Sequence, residues 1–388
     1  MSGTPAGPAD ALQGAEVVCL GESMVTFLPS RPGRLADVPA FRRGIGGAES
    51  NVACVLAAAG HRTAWVSRVG TDGFGDHLVA AVSAYGVDTS AVRRDPARPT
   101  GIYFRTAADR ATDGHEVAYY RAGSAASEMS PDNVPYGPLF AGRVLHLSGI
   151  TAALSAGCRA LLDDLTAPRP GRPLLSFDVN HRPVLWRDTD AAPEVLLDLA
   201  RRCDLVFVGE DEALAAWGVK GAEAIRAALP EPGVLVVKRG ADGATVFSRP
   251  GPAHPAAPLE AGSVTAATAL RVDVPALRVD VVAPVGAGDA FAAGFLSATL
   301  RGLPLRERAR HGHLMAAAVL TAPGDLAAPA PHAHADVLAA LDDASWGRLR
   351  LGPGWTGHEQ EVTDDVSERT DQTGASGAHR ADGSEARG

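Results

Sequence analysis

Short runs of β-branched and aromatic residues alternate with alanine- and leucine-rich stretches along most of this chain. That alternation constrains the fold more than any other feature. Strands are expected at 16–20, 63–67, 143–147, 173–178, 204–208, 233–237 and 244–248. Helices are expected at 47–60, 74–85, 155–167, 191–202, 210–217, 221–229, 287–301, 306–321 and 333–343. Strands separated by helices give a doubly wound α/β body: a mostly parallel sheet, helices on both faces, right-handed crossovers. Two stretches, 23–45 and 98–122, read as strands with no helix between them (MVTFLP, AFRRGI, GIYFRTA, EVAYYRA). Their alternation of apolar and polar residues suggests a small antiparallel β-sheet with one wet face, projecting as a lid.

Composition narrows the function classes. At 388 residues, with 46% hydrophobic and 21% charged residues, the chain can bury a sizeable core, which excludes global disorder. Asp plus Glu total 45 against 36 for Lys plus Arg, so nothing marks a nucleic-acid binder. Only Lys220 and Lys238 are lysines; with so much alanine, the arginine excess reads as genome composition. Cys19, Cys54, Cys158 and Cys203 form no C-x-x-C pair and read as single buried thiols. MSGTPAGPAD lacks the basic and apolar regions of a signal peptide, and no run reaches the ~18 apolar residues of a membrane helix. A soluble cytoplasmic protein without a membrane partner is expected. Residues 1–15 read as a flexible tail, 16–348 as the folded domain, 250–276 as a long surface loop and 349–388 as a disordered tail.

Two glycine-rich turns carry the chemistry. Gly286-Ala287-Gly288-Asp289 follows a β-like run, Leu277 to Val282, and opens a helix reaching about Arg301. The first amides of a helix have no intrahelical acceptor and form a positive cup for an anion such as a phosphoryl group. Asp289, beside that cup, would be repelled by a phosphate but is well placed to take a proton from an attacking hydroxyl. Alternatively it stabilises its own helix N-terminus. The dinucleotide fingerprint is absent, because Phe291 stands at the third glycine, and so is the P-loop pattern. The second turn, Gly44-Ile45-Gly46-Gly47-Ala48-Glu49-Ser50-Asn51, brings backbone amides and one amide side chain up to a polyhydroxy ligand, or simply starts the next helix with Ser50 or Asn51 as cap.

In this order, the two segments resemble the two signatures of the PfkB (ribokinase-like) carbohydrate kinases. TGIYFR at 100–105, YYRAGSAAS at 119–127, FDVNHRPVLW at 177–186 and VVKRGADGATVF at 236–247 add to the resemblance, which covers about residues 16–345. YYRAGSAAS and DVNHRPVLW are most similar to 2-keto-3-deoxygluconate kinases. The resemblance implies transfer of the ATP γ-phosphoryl to the primary hydroxyl of that sugar acid. Another PfkB sugar kinase (fructokinase or ribokinase-like) and a catalytically weak sugar- or nucleotide-binding member are the alternatives. Asp289 would be the base, with Gly286, Ala287 and Gly288 supplying the cup. Gly46, Tyr103, Tyr119, Arg121 and Arg182 would contact the sugar acid, helped by Gly47, Asn51, Asp178 and Asn180. Two arginines suit a carboxylate, because a guanidinium fork matches its two oxygens. Lys238, Gly240 and Gly243 would lie beside the nucleotide, and residues 312–324, including His313, would enclose the adenine. Glu212 would help hold Mg2+, although Gly209 replaces the family's usual Asn before it. Ala283 stands where an Asp commonly helps bind a monovalent cation, which puts K+ activation in doubt. Family lids often pair between subunits, so a homodimer is expected.

Overall fold

The computed structural model describes residues 14–31, 33–106, 116–186, 188–249 and 270–357. Strands β1 (Val17–Leu20), β2 (Met24–Pro29), β3 (Phe41–Gly46) and β4 (Thr63–Val66) come first, then β5 (Arg68–Gly70), β6 (Arg93–Asp95), β7 (Ile102–Arg105) and β8 (Val117–Tyr120). They are followed by β9 (Val144–Ser148), β10 (Leu174–Asp178), β11 (Leu205–Gly209) and β12 (Val234–Lys238), and by β13 (Ala244–Ser248), β14 (Leu270–Val274), β15 (Arg278–Val279) and β16 (Arg350–Leu351).

Eight strands form the main sheet in the order β14-β13-β12-β11-β10-β9-β1-β4. All pairs from β12 to β4 are parallel; β12–β13 and β13–β14 are antiparallel. Parallel strands buried on both faces read as continuous apolar runs, as in VVCL and VLVVK. The period of two sends alternate residues to opposite faces: Val17, Cys19, Val234 and Val236 join one core, while Val18, Leu20, Leu235 and Val237 join the other. The chain leaves β1 for β4 on one side and later returns to β9 on the other. That reversal makes a topological switch point, where α/β sheets bind ligands at their strand ends.

On one face Phe207 of β11 meets Phe295 of the helix Ala287–Leu300 edge-on, with ring centroids 5.5 Å apart. Edge-to-face pairs of this kind add about 1 kcal/mol beyond area burial. The contact fixes that helix over the strand ends. Among the described residues, no helix is long and apolar enough to cross a membrane. The four cysteines are buried and unpaired, as expected.

Several expectations need correction. The small sheet has the order β3-β2-β7-β8, and its middle pair, β2–β7, is parallel rather than antiparallel. Residues 270–274, expected in a surface loop, form β14 at the sheet edge; 250–269 lie outside the described residues. The run from Leu277 to Val282 gives only β15, which pairs with β16 outside the main sheet. The ordered chain also continues beyond 348, because β16 and the buried Trp355 belong to the same unit. Residues 1–13 and 358–388, within the two expected tails, lie outside the described residues.

Candidate active site

A cleft of about 620 Å³ opens between the small sheet and the C-terminal ends of β10, β11 and β12. Gly46, Tyr103 and Tyr119 face it from the lid side, and the first turn of the helix Ala287–Leu300 from the body.

That helix begins at Gly286, whose φ of 83° lies in the left-handed region. A side chain there would also drive into the backbone of Asp325. Both constraints select glycine, and the turn leaves the amides of Ala287, Gly288 and Asp289 pointing out of the helix end. Asp289 is half-buried beside them. Its Oδ2 accepts a hydrogen bond of 2.9 Å from Asn51 Nδ2. Burial pushes its carboxyl up to about 7, with Asp178 and Glu49 adding to the rise while Asn51 and Lys238 oppose it. A carboxylate poised near neutrality suits proton abstraction.

Lys238 ends β12 and Asp178 ends β10, so both project from the strand ends into the cleft. The Lys238 ammonium donates to both oxygens of Asp178, at 3.0 and 2.8 Å. Burial works against its charge, but Asp178 and Glu212 outweigh it, and Lys238 holds its proton more tightly than a free lysine. Asp178, expected to contact the sugar, is instead engaged by this ion pair.

The lid side is denser than the sequence suggested. Tyr103 Oη donates to Asp325 Oδ2 at 3.0 Å, and Arg105 ion-pairs with the same carboxylate. Gly46 lies against this contact, since a Cβ there would collide with the Tyr103 hydroxyl. Arg121 is paired with the fully buried Glu22, and Arg182 Nη1 donates to Glu212 Oε1 at 3.1 Å. The two arginines expected to await a carboxylate therefore already hold internal carboxylates, although both line the cleft. Tyr119 is 47% exposed, with its ring 5.5 Å from that of Tyr103. Gly47 and Gly240 also line the cleft. Asn180 does too, with a positive φ of 39° and a buried Oδ1 lacking a partner. Strain and an orphan acceptor at one residue are a pointer to ligand contact.

Three expected residues stand differently. Glu212, the expected metal ligand, gives Oε1 to Arg182 and accepts from the Gly209 N–H at 2.9 Å through Oε2. Gly243 sits in the β12–β13 turn against Val274, off the cleft. His313 is buried in the helix Leu305–Leu320, its ring edge-on to Phe291 at 5.1 Å, and burial lowers its pKa to about 4. It packs the core and does not line the cleft. Sequence reasoning missed Asp325, Arg105, Glu22 and Glu49. Glu49 is fully buried and accepts hydrogen bonds of 2.7 Å from Ser148 and Thr151; a charge inside an apolar helix was the available signal. Asp325, in a Pro- and Ala-rich segment, carried none.

The profile described as pfkB family carbohydrate kinase matches residues 15–333. The chain belongs to that family. It is 33% identical over 338 residues to the 2-dehydro-3-deoxygluconokinase of Thermoproteus tenax, covering 86% of this chain and 97% of the relative. The enzyme of the same name from Bacillus subtilis (strain 168) is 34% identical over 320 residues, covering 80% and 91%. The crystal structure of a PfkB protein from Polaromonas sp. JS666 is 34% identical, covers 80% of this chain and 98% of that one, and superposes with a TM-score of 0.67. This chain is thus a carbohydrate kinase with the ribokinase-like fold. Phosphoryl transfer needs charge stabilisation and an acceptor for the hydroxyl proton, and an amide cup beside a carboxylate is chemically able to offer both.

Proposed function

We propose that the chain transfers the γ-phosphoryl of MgATP to the primary hydroxyl of 2-keto-3-deoxygluconate, giving the 6-phosphate. One observation carries the reading: Asp289, with its carboxyl pushed up to about 7, stands beside the amides that open the helix Ala287–Leu300. Asp289 takes the hydroxyl proton as that oxygen bonds to the γ-phosphorus and the bond to the ADP oxygen breaks. The amides of Ala287 to Asp289 face the charge on the moving group. The Asp211 carboxylate in the cleft wall fits a divalent ion held mainly by phosphates and water, while Glu212 beside it would first have to release Arg182 or the Gly209 N–H. Mg2+ there would neutralise phosphate charge. Tyr103, Tyr119 and Asn180 hold the sugar acid, with the outer edges of Arg121 and Arg182 turned to its carboxylate. The lid keeps out water that would otherwise hydrolyse ATP. A homodimer through the lid and a cytoplasmic location follow from the same reading.

A second reading has its own observation. Arg121 and Arg182 are engaged by Glu22 and Glu212, which favours a neutral sugar such as fructose or ribose. A coupled assay with MgATP against sugar acids and neutral sugars, with and without potassium, separates the two. A kcat/KM at least tenfold higher for the sugar acid is expected; a higher value for a neutral sugar would falsify the first reading.

A further inference from the structure

The chain has two lysines and is otherwise supplied with arginine. One of the two, Lys238, stands at the floor of the cleft, its side chain 18% exposed. Its Nζ lies 3.6 Å from where a side-chain carbon on Gly288 would sit, so the ammonium borders the amide cup. An ammonium carries three N–H groups. Two are taken by the oxygens of Asp178, at 3.0 and 2.8 Å. The third has no side-chain acceptor among the described contacts and sits beside the cup. Asp178 is almost fully buried, with a side-chain exposure of 3%, and among the described residues its ion pair is with Lys238. It therefore serves as an anchor that fixes one ammonium at one place.

We infer that Lys238 is a catalytic residue of the phosphoryl transfer, its third N–H donating to an equatorial oxygen of the moving group, and that Asp178 is the residue that positions it. The inference rests on the kinase reading but not on which sugar is the acceptor. The oxygen of the acceptor forms its bond to the γ-phosphorus, the bond to the ADP oxygen breaks, and the hydroxyl proton goes to Asp289. Lys238 keeps its proton throughout. Its charge meets negative charge that is spread over the equatorial oxygens as the bond order falls. A compact ammonium suits this place better than a guanidinium, because it can be held by one carboxylate and still offer a single directed donor. The same ammonium faces Asp289, together with Asn51, Asp178 and Glu49, and favours the ionised form of the base.

The test compares Lys238→Met with the double variant Asp178→Asn/Lys238→Met. The single change leaves Asp178 as a buried, unpaired charge and costs stability; the double change removes that charge and should melt near the wild type. Calorimetry measures the affinity of each protein for MgATP and for MgADP with aluminium fluoride, a mimic of the moving phosphoryl. The expected result for the double variant is about a 100-fold loss for the aluminium fluoride complex and less than threefold for MgATP, the size seen when one preorganised donor is lost. On whichever sugar the wild type accepts, kcat falls by a similar factor with both KM values little changed. In the single variant the acid limb of the kcat/KM profile moves to higher pH. Equal losses for the two nucleotide complexes, or no loss in either, would overturn the inference. If the wild type phosphorylates no sugar acid but the two affinities still part, the acceptor assignment fails and Lys238 keeps its role.

Discussion

The side-chain amide of Asn51, in the first turn of the helix Ala48–Ala58, donates to the Asp289 carboxylate, in the first turn of the helix Ala287–Leu300, at 2.9 Å. One hydrogen bond thus joins the two glycine-rich turns, and both helix starts meet at the Asp289 carboxylate. Asp289→Asn should fold, bind MgATP as the wild type does and lose about 10²–10⁴-fold in kcat, the usual worth of a general base. Near-normal turnover would remove Asp289 from the mechanism.

Because Asp289 titrates at about 7, the wild-type kcat/KM should rise through neutrality and level off above it. Asn51 opposes the upward shift, so Asn51→Ala should move that acid limb to higher pH and reduce kcat/KM at pH 7 by roughly tenfold. A pH–rate series on both proteins checks the direction, and an unmoved limb would mean that the hydrogen bond does not tune the base.

The same carboxyl makes stability depend on pH. Its unfolded pKa is about 3.9 and its folded pKa is higher, so the folded state binds more protons between the two. Stability from this group is fully present below about pH 4 and is lost as pH rises through 7. Asp289→Asn abolishes the slope. The Tm of the variant relative to wild type should therefore increase from pH 5 to pH 8; a flat difference would contradict the raised pKa.

Arg105 on β7 and Asp325 beyond the helix Leu305–Leu320 form a buried ion pair that ties the lid to the body. Arg105→Met leaves Asp325 buried without its cation and should cost about 3–5 kcal/mol in denaturant unfolding. Arg105→Met/Asp325→Asn should regain most of that stability. It should still show a raised KM for the sugar, because Tyr103 has lost the carboxylate that orients it.

Potassium should change kcat less than twofold if the resemblance holds at position 283, where Ala283 replaces the Asp that the family pattern places beside a monovalent cation. A potassium titration at constant ionic strength measures this directly, and strong activation would show that backbone carbonyls alone suffice.

The body of the fold was legible because its strands are buried on both faces. Runs such as LVFVG have no alternation to confuse and are bounded by helix-forming segments. β14 was hidden for the opposite reason: an edge strand reading LRVDV alternates, and it follows a Pro- and Ala-rich stretch. The parallel β2–β7 pair was not legible, since strands far apart in sequence carry no local record of their relative direction. In the site, the cup and Asp289 were legible because a glycine turn before a helix leaves a composition signature. The partners of the arginines were not. Glu22 lies far from its partner Arg121 in the chain, and Glu212 from Arg182, and no local pattern links either acid to its arginine. His313 shows the limit of assigning a residue by its segment alone: periodicity places it in a helix, but packing decides which side faces Phe291.

The short pairing of Arg278–Val279 with Arg350–Leu351, and the bond from Trp346 Nε1 to the Pro275 carbonyl, clasp the approach to Gly286 from a segment about seventy residues further along the chain. Trimming the protein back to residue 348 would therefore slacken the very stretch that aims the phosphate cradle. Any redesign of the C-terminal region should keep the pairing of β15 with β16 and the Trp346–Pro275 bond intact.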